Sequence, residues 1–364
     1  MDYTFVDLLK LMIQYNASDL IIKVGSSPVL RINKSLVKTE MDILTSSETE
    51  ELTKQALTPE QFNEIKIKYE KDAAYSLGAE GRFRINAFLQ QGNYAMVIRM
   101  IKADVPRLED LRMPEILYNI ALVERGLILV TGTTGSGKSS TVAGLINYMN
   151  EYLNKHIITL EDPIEFVHKD KNCIITQREI GFDTADFHTA LVAAMRQNPD
   201  IILIGEMRDS DTVDAALSAA ETGHLVISTL HTVNAAQTIS RILEFYPKEQ
   251  HDQIRAQLAE YLIATISQRL VPLIDNSGVV PAVEIMIQNP MIKKLIIENR
   301  IEKLKSVIHQ GKNEGMQTFD QSLVELFKKG LISENDAKSR CSKPSNFKLY
   351  CEGHFPDVDI GIIS

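Results

Sequence analysis

The chain has 364 residues, of which 44% are hydrophobic and 24% charged, and its formal net charge at pH 7 is -9. This is the composition of a soluble globular protein with room for about two domains. The acidic charge disfavours nucleic acid as the main partner. No apolar run reaches the ~18 residues of a membrane span, which argues against direct membrane insertion.

Cysteine usage and the N-terminus both indicate a cytoplasmic protein. The three cysteines are Cys173, Cys341 and Cys351, and none of them forms a C-x-x-C pair. This usage suits a reducing compartment and argues against a structural zinc site. The first ten residues carry acidic side chains where an export signal is basic, so we expect no signal peptide.

A separate α/β domain is predicted for residues 1–105. Apolar side chains at helical spacing start at Phe5, and strand-like segments lie on both sides of the Gly25 turn. Thr45-Ser-Ser-Glu48 and Thr58-Pro-Glu-Gln61 are capping boxes, so two short helices should follow them.

A hairpin predicted over residues 81–101 carries three arginines. Arg82 and Arg84 alternate with apolar residues, so both leave the same face of one strand, and Arg99 lies on the partner strand. An arginine brought over a nucleotide from another domain would offset the charge that develops in the transition state. The spacing alone favours the alternative, an ordinary solvated face of a half-buried hairpin.

Prolines mark residues 106–119 as a linker, and from 120 to 270 apolar strands alternate with helices. This alternation predicts a parallel sheet covered by helices. The predicted strands are 127–131, 156–160, 173–176, 201–204 and 225–229, and the predicted helices are 138–150, 185–197, 210–221 and 234–245. After about residue 248 we expect a mostly helical chain, so 271–364 is assigned as a helical extension.

The loop after the first of these strands fits the pattern G-x-x-x-x-G-K-[ST]. Strand, glycine-rich loop and helix form the context of a phosphate site, in which backbone amides and the helix N-terminus face the phosphates. Lys138 is then expected to reach the outer phosphates of ATP and Ser139 to bind Mg²⁺. The alternative is a flexible loop that matches by chance. The predicted nucleotide contacts are Gly132, Thr133, Thr134, Gly135, Ser136, Gly137, Lys138, Ser139 and Ser140.

Carboxylates follow two other predicted strands. Glu206 comes directly after the apolar strand 201–204, at the edge where ligands bind in parallel sheets, so we expect it to act on Mg²⁺ or its waters. Glu161, Asp162 and Glu165 follow the strand that starts at His156, and a carboxylate there can orient the attacking water. The alternatives are a surface carboxylate at Glu206 and an acidic solvated loop at 161–165.

Two histidines bracket the strand predicted at 225–229. His224 precedes it and His231 follows it, and either could sense the γ-phosphate of a nucleotide in the glycine-rich loop. A lone histidine is more often a structural hydrogen-bonding residue, which remains the alternative for both.

Four of these segments occur in the order of the secretion and pilus ATPase superfamily. They resemble its Walker A box, Asp box, atypical Walker B box and His box, namely Gly132–Ser139, Glu161–His168, Gly205–Asp209 and Thr222–His231. The chain is most similar to the type IV pilus retraction (twitching motility) ATPases of the PilT/PilU kind. Further segments resemble the PilU branch: Gln177–Asp183, Gln268–Pro272, Gly315–Gln321 and Pro344–Leu349.

The resemblance implies a PAS-like N-terminal domain, a RecA-like P-loop NTPase domain and a homo-hexamer, possibly beside a paralogous retraction ATPase. It implies that Glu165 activates water, that Glu206 is linked to Mg²⁺, and that Arg82, Arg84 or Arg99 closes over the γ-phosphate. Domain closure on ATP is then expected to drive pilus retraction. The implied partner is the inner-membrane platform protein of the pilus, with the ring at the cytoplasmic side.

Two departures bear on this expectation. Extension ATPases usually carry a cysteine-rich zinc element and a longer N-terminal region, and the lack of both disfavours pilus-assembly and type II secretion functions. Retraction ATPases have a helix with an Ala-Ile-Arg-type motif, where this chain has Met291 and Lys293 within 289–296. The alternative function is therefore an accessory nucleotide-binding ring that works only beside a paralogous motor.

Overall fold

The computed structural model describes residues 3–32, 35–101, 104–356 and 358, with the backbone alone for Ala79. Contacts divide the chain into two units. The first unit is Met1–Asp104 with Ile164–Val167, and the second unit is Val105–Pro163 with His168–Ser364.

The described part of the first unit forms a six-stranded antiparallel sheet with helices packed on it. Its elements are α1 (Phe5–Gln14), β1 (Asp19–Ile22), β2 (Val29–Ile32), β3 (Ser35–Lys38), α2 (Ser46–Ala56), α3 (Pro59–Lys68), β4 (Glu70–Ser76), β5 (Arg82–Gln90) and β6 (Asn93–Ile101). The strand order is β3-β2-β1-β6-β5-β4.

Local sequence explains most of these elements. α1 buries the apolar stripe that begins at Phe5, and Thr45 and Thr58 cap α2 and α3 through complete capping boxes. The hairpin predicted over 81–101 is β5–β6. Strands β3 and β4 were not predicted, because β3 is exposed along its whole length and β4 buries only one residue, so neither shows the alternation of a half-buried strand.

The described part of the second unit contains a seven-stranded sheet flanked by helices. Its elements are α4 (Ile116–Ala121), β7 (Gly126–Thr131), α5 (Lys138–Tyr152), β8 (His156–Glu161), β9 (Ile174–Glu179), α6 (Phe187–Ala194), β10 (Ile201–Ile204), α7 (Ser210–Glu221), β11 (Leu225–Leu230), α8 (Ala235–Leu243), α9 (His251–Tyr261), β12 (Leu262–Pro272), β13 (Val279–Ile287), α10 (Pro290–Ile297), α11 (Leu304–Gln310), α12 (Phe319–Lys328), α13 (Glu334–Arg340) and α14 (Phe347–Cys351).

The order of this sheet is β13-β12-β7-β11-β10-β8-β9. All neighbouring strands run parallel except β13, which is antiparallel to β12. Strands β7, β10 and β11 are buried at every position because helices cover both faces. The predicted alternation of strands and helices from residue 127 to residue 245 is therefore confirmed, with ends that shift by a few residues.

The prediction of a mostly helical chain after about residue 248 is wrong for residues 262–287. This stretch forms the β12–β13 hairpin, which extends the central sheet. Its strands are rich in β-branched residues, which favour a pleated surface, and Asn276 and Gly278 lie in the connection between them. The sheet therefore continues beyond residue 270, into the region assigned as an extension.

The last helices pack on this hairpin. Val271 and Val280 of the hairpin share a buried cluster with Phe319, Leu323 and Phe347 of the C-terminal helices. Thr318 caps α12 through a complete capping box, and Pro290 lies in the first turn of α10. No helix within the described ranges is both long and apolar enough to cross a membrane.

Candidate nucleotide site

The loop between β7 and α5 turns through glycines with left-handed backbone conformations. The φ angles of Gly135 and Gly137 are +78° and +91°. Gly137 is the N-cap of α5, so the first amides of this helix face the loop. The Lys138 Nζ atom lies inside the loop and donates to the carbonyl oxygens of Gly132 at 2.8 Å and Thr133 at 3.3 Å. A lysine inside a glycine-rich turn at a helix N-terminus is the arrangement that the sequence predicts for a phosphate loop, and phosphate binding there stays a prediction.

A buried glutamine of β12 lies against this loop. Gln268 is 3% exposed, and its Oε1 atom accepts a 2.8 Å hydrogen bond from the Thr141 hydroxyl in α5. A Cβ atom on Gly137 would lie 2.7 Å from Gln268 Nε2. A Cβ atom on Gly132 would lie 2.6 Å from the Gln268 carbonyl oxygen and 2.3 Å from Ser136 Oγ. Gln268 therefore limits the space for a side chain at Gly137, and Gln268 and Ser136 together limit it at Gly132.

The polar residues that follow β8, β10 and β11 lie at the same edge of the sheet as the loop. These strands are parallel to β7, so their carboxyl ends share one edge, where ligands bind in such sheets. The structure thus brings Asp162, Glu206 and His231 to the edge that holds Lys138.

Two side chains, those of Arg208 and His231, contact the Glu206 carboxylate. Its Oε2 atom accepts a 2.9 Å hydrogen bond from Arg208 Nε, and its Oε1 atom lies 3.2 Å from His231 Nε2. Arg208 also donates from Nη1 to Asp162 Oδ2 at 3.3 Å. The Glu206 carboxylate raises the pKa of Arg208 above its already high value, so the guanidinium keeps its charge. These contacts fix the direction of both Glu206 oxygens.

The acidic residues at the end of β8 and just after it differ in their surroundings. Glu161 Oε1 accepts hydrogen bonds from the Thr159 hydroxyl at 2.6 Å and from Gln177 Nε2 at 3.1 Å, so it braces β8 against β9. The Asp162–Pro163 peptide bond is cis. Glu165 is exposed and lies in the segment Ile164–Val167, which groups with the first unit. Its role in activating water stays a prediction.

The structure does not bring His224 to the loop. His224 precedes β11, and its carbonyl oxygen accepts from the amide of Gly126, at the start of β7, whereas the loop follows the end of β7. Its Nδ1 atom lies 3.1 Å from the Thr222 hydroxyl and 3.0 Å from the Ala219 carbonyl oxygen. The predicted contact between His224 and a nucleotide held by its own chain is therefore wrong, because the two ends of a strand lie at opposite edges of the sheet.

The expected metal ligands have suitable chemistry. No group of three or more His, Cys, Asp or Glu residues in the described ranges is arranged to hold a metal ion by itself. Mg²⁺ at a phosphate loop needs few protein ligands, since phosphate oxygens and waters complete its shell. The Ser139 hydroxyl in the first turn of α5 and the Glu206 carboxylate are hard oxygen donors of the required kind. Their roles as ligands stay a prediction.

Comparison with known proteins decides the family. The family described as "Type II/IV secretion system protein" matches residues 73–335. The chain belongs to this family. It is 39% identical over 356 residues to the type IV pilus ATPase PilU of Pseudomonas aeruginosa. The aligned region covers 98% of this chain and 93% of PilU. It is 42% identical over 347 residues to the retraction ATPase PilT of the same bacterium, covering 95% and 100% of the two chains.

A solved member of the same family has the same fold. The crystal structure of the pilus retraction motor PilT with bound ADP matches with a TM-score of 0.88 and 39% identity, over 96% of this chain and 100% of that one. These matches confirm the resemblance to the type IV pilus ATPases and the mixed α/β fold class.

The three arginines that were predicted to act in catalysis lie on the hairpin of the first unit. Arg82 and Arg84 are on β5, and Arg99 is on β6. Arg84 stands directly opposite Arg99 in the register of the hairpin. Arg99 Nε lies 2.9 Å from Asp19, and Arg84 lies 3.9 Å from Asp72. Arg82 shares its strand face with Arg84. Their predicted action on a γ-phosphate stays a prediction.

The sequence alone did not single out two residues of the candidate nucleotide site, Arg208 and Gln268. Arg208 lies within the Gly205–Asp209 segment that carried the resemblance, but no role was assigned to it. Gln268 opens another resembling segment, and only the pairing of β12 with β7 shows that it faces the loop. Gln268 is a polar residue within a strand of mostly apolar residues, and this was the available sign that its side chain has a specific polar partner.

Proposed function

We propose that this chain is a Mg²⁺-dependent ATPase that works as a homo-hexamer at the cytoplasmic base of a type IV pilus and powers or assists pilus retraction. The observation that carries the proposal is the arrangement of Lys138 in a glycine cradle, with Glu206 and His231 at the same edge of the sheet. That edge combines phosphate binding with a fixed carboxylate, as hydrolysis of a nucleotide requires. The similarity to PilU and PilT over nearly the whole chain supports the biological setting.

The chemistry divides among few residues. Lys138 and the loop amides hold the phosphates, and Ser139 and Glu206 hold Mg²⁺ or its waters, which neutralises charge on the phosphates. Glu165 accepts a proton from the attacking water. Arg84 and Arg99 are like charges at opposing positions of one hairpin, an arrangement that an anionic ligand stabilises. This supports an arginine contact with a γ-phosphate on domain closure. The inner-membrane platform protein is the proposed partner.

Steady-state phosphate release by the purified chain tests this proposal, at a concentration where light scattering shows a hexamer. We expect hydrolysis with Mg²⁺ and none with EDTA. Lys138→Ala should lower kcat/KM by at least about 100-fold, since it removes the only positioned cation of the described loop. The control Lys248→Ala changes an exposed lysine outside the site and should retain activity. A wild-type hexamer without Mg²⁺-dependent hydrolysis contradicts the proposal.

The second candidate, an accessory ring that depends on a paralogous motor, is favoured by the 289–296 segment. In α10, Lys293 forms an ion pair with Glu260, and Met291 packs against the core. Residues that replace the motif of retraction motors are thus part of the helix packing. Retraction should be measured in strains that carry each ATPase alone and both together. Retraction by this chain alone supports an autonomous motor, and retraction only with the paralogue supports the accessory role.

A further inference from the structure

The β12–β13 hairpin touches the nucleotide loop on one side. Gln268 of β12 reaches Thr141 of α5 and limits the space at Gly137, as described above. The preceding residue, Ser267, accepts a 2.8 Å hydrogen bond from the Thr131 hydroxyl at the end of β7. Two consecutive residues of β12 therefore contact both ends of the phosphate loop.

The next residue of the same strand contacts the C-terminal helices. The Arg269 guanidinium lies 4.0 Å from the centroid of the Phe319 ring in α12, and its Nη1 atom donates to the Arg340 carbonyl oxygen at the end of α13, at 2.9 Å. Side chains alternate along a strand, so Gln268 and Arg269 point to opposite faces of the sheet. Gln268 thus faces the phosphate loop, and Arg269 contacts the C-terminal helices on the opposite face.

Two buried carboxyl groups act electrostatically on Arg269. Glu284 of β13 is 6% exposed and Asp320 of α12 is 1% exposed. Asp320 is bound by Lys305 at 3.1 Å and by the Ser342 amide at 2.8 Å. Burial lowers the pKa of Arg269, and the two carboxylates oppose this shift. A buried charge is costly without a partner, so Lys305 and the Ser342 amide hold Asp320 in place beside Phe319.

Glu284 of β13 connects the hairpin to the segment that follows His231. Its Oε1 atom accepts a 3.0 Å hydrogen bond from the Ala235 amide, in the first turn of α8. The segment 231–234 joins His231 to this turn, and the Thr232 hydroxyl lies 2.7 Å from that of Thr238 in α8. The hairpin therefore supports the loop through Gln268 and the His231 segment through Glu284.

We propose that Arg269 and Glu284 are positioning residues that couple the C-terminal helices α12–α14 to the nucleotide site, so that a bound nucleotide stabilises those helices. The proposal rests on nucleotide binding at the loop, which is part of the proposed function. Coupling of this kind is reciprocal, so the helices must also influence nucleotide affinity. A nucleotide that orders the loop fixes Gln268, and the adjacent Arg269 then holds α12 and α13 more tightly.

Hydrogen exchange of the full-length chain with and without ADP tests this. In the wild type, ADP should slow the exchange of amides in α12–α14 by about 5-fold or more. Arg269→Met should retain ADP binding and lose most of this slowing. The matched control is Arg255→Met, because Arg255 is a largely buried arginine of α9 that pairs with Asp252, away from these helices. It should keep the wild-type response.

A second variant keeps the test valid if Arg269→Met does not fold. Glu284→Gln keeps an acceptor for the Ala235 amide and replaces a buried carboxyl group that lies on the same face of the hairpin as Arg269. We expect it to fold, to bind ADP and to show a weaker response in α12–α14. ADP affinity is measured by calorimetry on the same samples. If ADP binds and the exchange of α12–α14 does not change, the coupling is overturned and the proposed function stands. If ADP does not bind, both are overturned.

Discussion

Arg208 donates from Nε to Glu206 Oε2 at 2.9 Å and from Nη1 to Asp162 Oδ2 at 3.3 Å, so one guanidinium joins the residues that follow two neighbouring strands. β8 and β10 pair in parallel, with Leu160 opposite Ile204, and both segments leave the sheet at the same height. Because His231 occupies the other oxygen of Glu206, this carboxylate is set in one orientation. The bridge therefore orients Glu206 for its proposed role at Mg²⁺.

Arg208→Gln should lower kcat for ATP hydrolysis by about 10- to 100-fold with little change in KM. The substitution releases Glu206 from a fixed direction, and misplacement of a catalytic group by about 1 Å costs rates of this order. The measurement is steady-state phosphate release as a function of ATP concentration. Arg241→Gln is the control, since Arg241 lies in the same small cleft but pairs with the exposed Glu244 and stacks on Phe245. A rise in KM without a fall in kcat would show that Arg208 binds nucleotide instead.

The sequence predicted the elements whose cause is local. Thr45 and Thr58 carry complete capping boxes, and the apolar strands β7, β10 and β11 stand out because both faces of the sheet are covered. The positions of Lys138 and Glu206 follow from the same alternation of strands and helices, because residues in the segment after a parallel strand lie at the ligand-binding edge of the sheet.

The remaining features depend on strand order, which local patterns do not contain. Gln268 faces the loop only because β12 pairs with β7, although 136 residues separate Thr131 from Ser267 in the bond that joins them. His224 and His231 were both expected to sense the γ-phosphate because they bracket one predicted strand beside the loop. That strand places His224 at the opposite edge of the sheet, which the parallel register of β11 and β7 shows.

Two glycines of the loop offer a matched pair of substitutions. Gly135 and Gly137 both have left-handed backbones, but a Cβ atom on Gly135 meets nothing within 4 Å, whereas one on Gly137 lies 2.7 Å from Gln268 Nε2. Gly135→Ala should lower the free energy of unfolding of the second unit by about 1–2 kcal/mol from backbone strain alone. Gly137→Ala should cost about 1–2 kcal/mol more, through overpacking against a buried side chain.

Denaturant titration measures both variants, and ADP titration should show the larger loss of affinity for Gly137→Ala. Gln268→Ala added to Gly137→Ala should recover the steric part of the loss and leave the strain. Equal losses for the two single variants would mean that Gln268 moves aside freely.

Thr131 and Ser267 form a hydroxyl pair with no exposed surface, joining β7 to β12. Thr131→Val or Ser267→Ala alone should lower the free energy of unfolding by about 1–3 kcal/mol, because each leaves one buried hydroxyl without its partner. The double variant should cost less than the sum of the two. Thr222→Val, at the exposed end of α7, should cost no more than about 0.5 kcal/mol. Strictly additive losses in denaturant titrations would show that the bond contributes nothing.

His168 predicts an acid-sensitive step in stability. Burial, with a smaller contribution from the positive charge of Lys171, lowers the pKa of His168 to about 4. Its Nδ1 atom is buried and has no hydrogen-bond partner among the described residues. The folded chain therefore favours neutral imidazole, while the unfolded chain takes up a proton at the ordinary pKa of about 6.5. The stabilisation is complete above that pKa and is lost as the pH falls towards 4.

At pH 5 this linkage lowers the free energy of unfolding by about 2 kcal/mol relative to pH 7.5. His168→Gln cannot take up the proton, so between these two pH values it should lose about 2 kcal/mol less stability than the wild type. His188→Gln changes an exposed histidine and should follow the wild type. The measurement is denaturant unfolding of all three proteins at both pH values. If wild type and His168→Gln lose the same stability, His168 takes up its proton in the folded chain as readily as in the unfolded one.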